Sequence, residues 1–220
     1  MKTRIGFSLA LLAAVVVGAA AEEVVLPAVQ DTYVQSINPG TNYGAAEEFW
    51  AGRGQYWGLG VIRAYIQFNL SSLPTNPNLV TSATLSAYQY DTMPAAGGLP
   101  VDVVRPLGTW AENTVTWDNQ PGLDATVWAS AAVGDSFHRT WVDWDVTDLV
   151  KAQIAGNFPN LGWVLKANYE GSAGASRLGY FRSREYAANP TLQPKLVVQL
   201  VPEPASLALI PLALVGLRRR

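Results

Sequence analysis

Apolar residues recur at every second position in short runs along most of this chain, and the runs end at proline, glycine or asparagine. The clearest is Arg63–Leu70, where Ala64, Ile66, Phe68 and Leu70 share one face and Arg63, Tyr65, Gln67 and Asn69 the other. A period of two belongs to a strand, whose successive side chains point to opposite sides. Comparable runs cover Val24–Val34, Phe49–Gly52, Val80–Tyr90, Pro100–Pro106, Thr126–Val133, Phe137–Trp144, Leu161–Leu165, Leu178–Ser183 and Lys195–Val201. Many short strands with turn residues between them predict an all-β fold, an antiparallel sandwich or jelly roll, in one domain. No strand–helix unit repeats, which disfavours a doubly wound α/β sheet.

One stretch breaks the pattern. Between Trp141 and Ala167 the sequence predicts a strand, a short helix near residues 147–156, a turn and a second strand. Thr147 is the expected helix cap, with Asp148 at the positive end of the helix. Leu149, Val150 and Ile154 make one apolar stripe, Gly156 ends the helix, and Asn157-Phe158-Pro159-Asn160 makes the turn.

The two ends read differently from the middle. Residues 1–21 carry Lys2 and Arg4, an apolar run from Ile5 to Val17, and then Gly18-Ala19-Ala20-Ala21, the three parts of a secretory signal. Residues 201–220 hold Pro202-Glu203-Pro204, the apolar run Leu207–Leu217 and a terminal Arg218-Arg219-Arg220. That run is shorter than the ~20 residues of a usual spanning helix, and the arginines would hold its end on the cytoplasmic side. The order resembles the PEP-CTERM sorting signal of Gram-negative bacteria. The resemblance implies export, transient inner-membrane association, processing by an exosortase and release to the cell surface or extracellular matrix. A permanent tail anchor is the alternative. Between the ends, residues 22–200 form the expected domain. The chain has no cysteine and one histidine, His138, which removes thiol chemistry and most transition-metal sites. A net charge of -2 without a basic patch argues against a nucleic-acid partner.

The middle segment resembles the DNRLRE-domain proteins, classed among carbohydrate-binding modules (family 96-like). The matching pieces are Asp31-Thr32-Tyr33-Val34 with Asn42-Tyr43-Gly44, Arg63 to Pro74, and Val80 to Leu85. They continue with Trp110-Ala111-Glu112-Asn113-Thr114-Val115-Thr116-Trp117, Asp145 to Val150, Phe181-Arg182-Ser183-Arg184-Glu185, and Pro194 to Val198. Two positions depart from the family. Gln153 replaces an aromatic residue on the helix, so a packing contact is expected to be lost. Asn69 stands for the more usual Asp. The resemblance implies a β-sandwich that binds polysaccharide, acidic glycans included.

Catalysis has less support. Glycoside hydrolysis needs two carboxylates across a cleft, and nothing in the spacing of Asp118, Asp143, Asp145 and Glu185 makes any two converge. No Gly-x-Ser-x-Gly elbow occurs. The expectation is a non-catalytic module, with a purely structural matrix or biofilm protein as the alternative and a polysaccharide lyase or hydrolase behind it. Sugar binding needs flat aromatic faces edged by polar groups. Trp110, Trp117 and Trp144 read as core, whereas Trp50, Tyr56 and Trp57, in or beside a glycine-rich loop, are the binding candidates. Arg53, Arg177 and Arg182 could pair with uronate carboxylates. Arg184 and Glu185 read as a structural ion pair. Structural calcium is a candidate cofactor, because jelly-roll sugar-binding modules often hold one through carboxylates and loop carbonyls; Asp31 and Asn42 are the expected ligands.

Overall fold

The structure, a computed structural model, describes residues 21–54, 58–93, 99–133, 139–171 and 177–201. Among the described residues there are ten strands: β1 (Glu22–Gln35), β2 (Glu48–Gly54), β3 (Gly60–Phe68), β4 (Val80–Met93), β5 (Leu99–Val104), β6 (Ala129–Val133), β7 (Thr140–Asp145), β8 (Trp163–Ala167), β9 (Arg177–Arg182) and β10 (Lys195–Leu200). Their pairings are all antiparallel. The fold is the expected all-β sandwich.

β1 links the two layers. Its first half pairs with β10, from Glu22 opposite Leu200 to Pro27 opposite Lys195, and its second half pairs with β3. From β10 the sheet runs through β4 and β9 to β2 and β3, so six strands close a ring. β8, β5 and β6 extend it from β3, and β7 adds to the other edge of β4. Alternation sets what lies inside. Ile62, Ala64, Ile66 and Phe68 of β3 meet Leu85 and Ala87 of β4, Phe49 of β2, Phe181 of β9 and Trp144 of β7 in the main core.

The opposite face of β3 is buried too. Tyr65 packs with Val34, Val104 and Val164 beneath Val115, while Trp110 and Trp117 close the edge. These covering residues come from the irregular segment 105–128. Trp110 Nε1 donates to the Leu161 carbonyl at 2.7 Å, and Trp144 Nε1 donates to the Val101 carbonyl at 2.8 Å. All three tryptophans thus have the packing role expected of them.

The helix, α1 (Thr147–Ile154), packs against β4 and buries Leu149, Val150 and Gln153. Thr147 is not its cap. Val146 holds that position, and Asp145 Oδ1 accepts both the Thr147 amide at 3.0 Å and its hydroxyl at 2.6 Å. Thr147 is instead the first helical residue, and its hydroxyl oxygen accepts the amide of Ala83 in β4 at 2.9 Å, tying helix to sheet. At the other end, Gly156 takes φ +75° and donates to Gln153, while Asn157 donates to Ala152, closing a Schellman motif. Gln153 does not leave the expected gap: it is buried, accepts the Trp163 indole N–H at 3.2 Å and donates to Asn160 at 3.3 Å. Among the described residues no helix is long and apolar enough to cross a membrane. Residues 1–20 of the signal expected at 1–21, His138, and the expected sorting signal with Pro202, Glu203 and Pro204 lie outside the described residues.

Candidate functional site

β2 and β9 pair so that Trp50 lies opposite Tyr180 and Glu48 opposite Arg182. Phe49, Ala51 and Phe181 point into the core and are fully buried, so the alternate residues Glu48, Trp50, Tyr180 and Arg182 face outward. They remain half-buried because their rings pack on one another. The Trp50 indole stacks on Tyr33 with ring centres 5.1 Å apart, Tyr33 stacks on Tyr43 at 4.1 Å, and Tyr180 meets Trp50 edge-on at 4.9 Å.

Glu48 fixes two of these rings. Its carboxylate accepts the Trp50 indole N–H at 3.0 Å and the hydroxyl of Tyr90 from β4. Burial, then the Glu48 carboxylate, push the Tyr90 phenol up, so this hydroxyl remains a donor at any physiological pH. The Arg182 guanidinium lies between two ring faces, 3.9 Å from the centre of Tyr90 and 4.0 Å from that of Tyr186. Further along the same face Tyr88 of β4 meets Trp141 of β7 edge-on, and Lys195 Nζ sits 4.5 Å above the Trp141 ring. Among the described residues, neither Arg182 nor Lys195 has a carboxylate within ion-pairing distance.

Of the residues singled out in the sequence, the fold brings Trp50 and Arg182 to this face. Arg53 goes elsewhere: its Nη1 donates to the Glu170 carbonyl at 3.3 Å. It joins the group in which Glu170 grips Arg63 at 2.9 and 2.7 Å and Arg63 lies over Trp117. Tyr56 and Trp57 lie outside the described residues, as does the side chain of Arg177, whose backbone pairs with Arg53 in β9 and β2. Sequence reasoning missed Glu48, Tyr88, Tyr90, Trp141, Tyr180, Tyr186 and Lys195. The available signal was aromatic residues at the polar positions of alternating strands, as at Tyr88 and Tyr90.

A second group forms where β1, the 105–128 segment and the turn after β9 meet. Ligand atoms of Asp31, Glu112 and Glu185 lie within 4.8 Å of one another. Asp31 is 1% exposed, and its Oδ2 accepts the Arg184 amide at 2.8 Å. Glu112 accepts the Asp31 amide at 2.8 Å and Arg184 Nη1 at 2.7 Å, and the same Nη1 is 3.0 Å from Glu185. The expected Arg184–Glu185 pair therefore exists, but within a larger network. Among the described residues nothing donates to Asp31 Oδ1 or Glu185 Oε2, both buried. Burial, with Glu185 and Glu112 adding to it, holds the Asp31 carboxyl well above the usual range against the pull of the Arg184 amide. Burial and Glu112 raise Glu185 likewise.

Asn42 does not join this cluster. Its Nδ2 donates to the carbonyls of Glu112 and Val115, each at 2.7 Å, and its Oδ1 accepts the Gly44 amide at 3.1 Å. Both polar atoms are thus occupied in fastening the 36–44 loop to the covering segment, and the carboxylates that lie beside Asp31 are those of Glu112 and Glu185.

Residues 22–200 match the family model of carbohydrate-binding module family 96. The chain is also similar to the tRNA nuclease WapA of Bacillus subtilis strain 168 and to the tRNA3(Ser)-specific nuclease WapA of Bacillus spizizenii. Each is 30% identical over 183 residues, covering 76% of this chain and 7% of that protein. The chain thus spans a small fraction of the length of these relatives.

Proposed function

The chain belongs to carbohydrate-binding module family 96, and from that membership we propose that it is an exported, non-catalytic module that binds polysaccharide through the outward face of β2, β9 and β4. The observation that carries this reading is the ring-lined surface around Trp50, Tyr180 and Tyr90, cross-braced by Glu48. Aromatic faces shed water at little cost and suit the apolar face of a pyranose, while the polar edges supply hydrogen bonds. Ring contacts hold Trp50 and Arg182 in place before a ligand arrives, which lowers the entropy lost on binding.

An acidic glycan fits this face best. Arg182 and Lys195 lie over rings without a carboxylate partner among the described residues, so a uronate could pair with them without displacing one. The Bacillus relatives are named for nuclease activity, and this chain matches 7% of their length; its own role in this reading is binding alone. Export is part of the same proposal and rests on the sequence of residues 1–21 and 201–220. Cell fractionation, with exosortase-dependent processing of the tail as the readout, tests that part.

Affinity electrophoresis of the full chain in gels containing uronate-rich or neutral polysaccharides tests the binding. Retardation is expected in the uronate-rich gels. Trp50→Ala is expected to weaken it about tenfold or more, the loss of an aromatic anchor at the centre of a contact, with the circular-dichroism spectrum retained. Absence of retardation in every gel would remove the binding role and leave the structural matrix protein. Unchanged retardation by a folded Trp50→Ala would move the site elsewhere on the molecule.

A further inference from the structure

We propose that Asp31, Glu112 and Glu185 hold one divalent cation of the hard, oxygen-seeking kind, with calcium as the fitting ion. This goes beyond the glycan reading and does not depend on it. Three segments far apart in sequence bring carboxylate oxygens within 4.8 Å of one another. Calcium takes oxygen ligands at about 2.3–2.6 Å, so an ion at the centre of the group can reach all three carboxylates with shifts of at most a few tenths of an ångström.

Two atoms point to the ligand independently of that clustering. Asp31 is 1% exposed, yet its Oδ1 accepts nothing from the described residues, and Glu185 Oε2 is in the same condition. A buried carboxylate oxygen without a donor is costly unless an ion or proton compensates it. The charge balance favours a divalent ion: three carboxylates face one guanidinium, Arg184, and leave a deficit of two charges. All three ligand groups offer oxygen, and among the described residues no histidine or cysteine joins them, which selects against softer transition metals. Glu185 is partly exposed, at 22% of its side chain, which gives an ion access. Once in place the ion would tie β1, the covering segment and the turn after β9 together.

The test is calorimetric titration and thermal melting of the chelator-stripped full chain, with calcium chloride and, separately, magnesium chloride. Binding of one calcium per chain and a saturable rise in melting temperature are expected, with a weaker response to magnesium. Glu185→Gln, at the most exposed of the three positions and nearly isosteric, is expected to bind calcium about tenfold or more weakly because the ion loses one charged ligand. Its calcium-free melting temperature should equal or exceed that of the parent, since the change also removes a repelling charge. Asp31→Asn is the second variant, expected to lose calcium binding as well. No heat and no melting shift with either ion in the parent chain would overturn the proposal. So would calcium binding that survives both substitutions. A chain that gains stability on acidification without responding to calcium would identify a shared proton in place of the ion, and that too would overturn it.

Discussion

Trp163 is almost fully buried, and its indole N–H must find an acceptor inside the protein. Gln153 supplies it and also donates to Asn160, whose own amide donates to the Phe68 carbonyl at 2.8 Å. One side chain therefore joins α1, the turn after it and the end of β3. Gln153→Ala leaves the indole N–H without its partner and is expected to destabilise the fold by about 1–3 kcal/mol, read from the urea midpoint at unchanged slope. Gln153 was legible in the sequence as a departure from its family, but its use was not. A polar residue on an apolar stripe reads as a defect until the tryptophan it serves is placed beside it, ten residues on. The carboxylate cluster shows the same limit. Asp31 was recognisable as a candidate ligand, but the nearest suitable oxygen in sequence was Asn42. Its actual neighbours, Glu112 and Glu185, are separated from it by most of the domain.

At the scale of elements, the turn out of α1 contains two glycines with nearly the same backbone and different surroundings. Gly156 has φ +75° and open space where a Cβ would stand. Gly162 has φ +78°, and a Cβ there would lie 2.7 Å from the Ile66 carbonyl oxygen and 3.1 Å from Gln67. Gly156→Ala is expected to cost about 1 kcal/mol, the left-handed penalty alone. Gly162→Ala is expected to cost about 2–3 kcal/mol, because β8 must also shift away from β3. Chemical denaturation of the two variants side by side checks the difference. Strand positions and the helix were legible because periodicity is local. The burial of Tyr65 was not: alternation gives each strand two faces, and only the covering segment with Val115 and Trp110 decides that both are inside. That segment has no period to read. The ring-lined face was likewise half visible, with Trp50 and Arg182 found and Tyr90, Tyr180 and Glu48 assembled only by pairing across strands.

For the whole molecule, two sets of carboxyls set opposite trends in stability with pH. Asp31 and Glu185 are held above their ordinary range in the fold, so without a cation the folded chain binds protons that the unfolded chain releases. Stability then falls as pH rises from the ordinary carboxylate value, about 4, through the raised values. Asp145 is held below its ordinary value by the two bonds from Thr147, so its contribution is present above about pH 4 and is lost as pH falls through the lowered value. Thermal melts of the metal-free chain are therefore expected to show a higher melting temperature at about pH 5 than at about pH 7. Glu185→Gln should flatten that slope. A melting temperature that climbs from pH 5 to pH 7 in the parent would contradict the assignment of these carboxyls.

The pairing of Glu22 with Leu200 also decides how the module would behave under load. The polypeptide enters and leaves the sandwich through neighbouring strands, roughly 5 Å apart, so the folded unit hangs beside its chain like a pendant and adds almost no contour length. Tension drawn through both ends would peel β1 from β10 one hydrogen-bonded pair at a time, starting at Glu22, in the geometry of a zip and not of a lap joint. Tension between one end and a glycan held on the β2–β9–β4 face would instead cross the body of the sheet. The same domain would thus yield readily when its backbone is stretched and hold more firmly when the load enters through the β2–β9–β4 face.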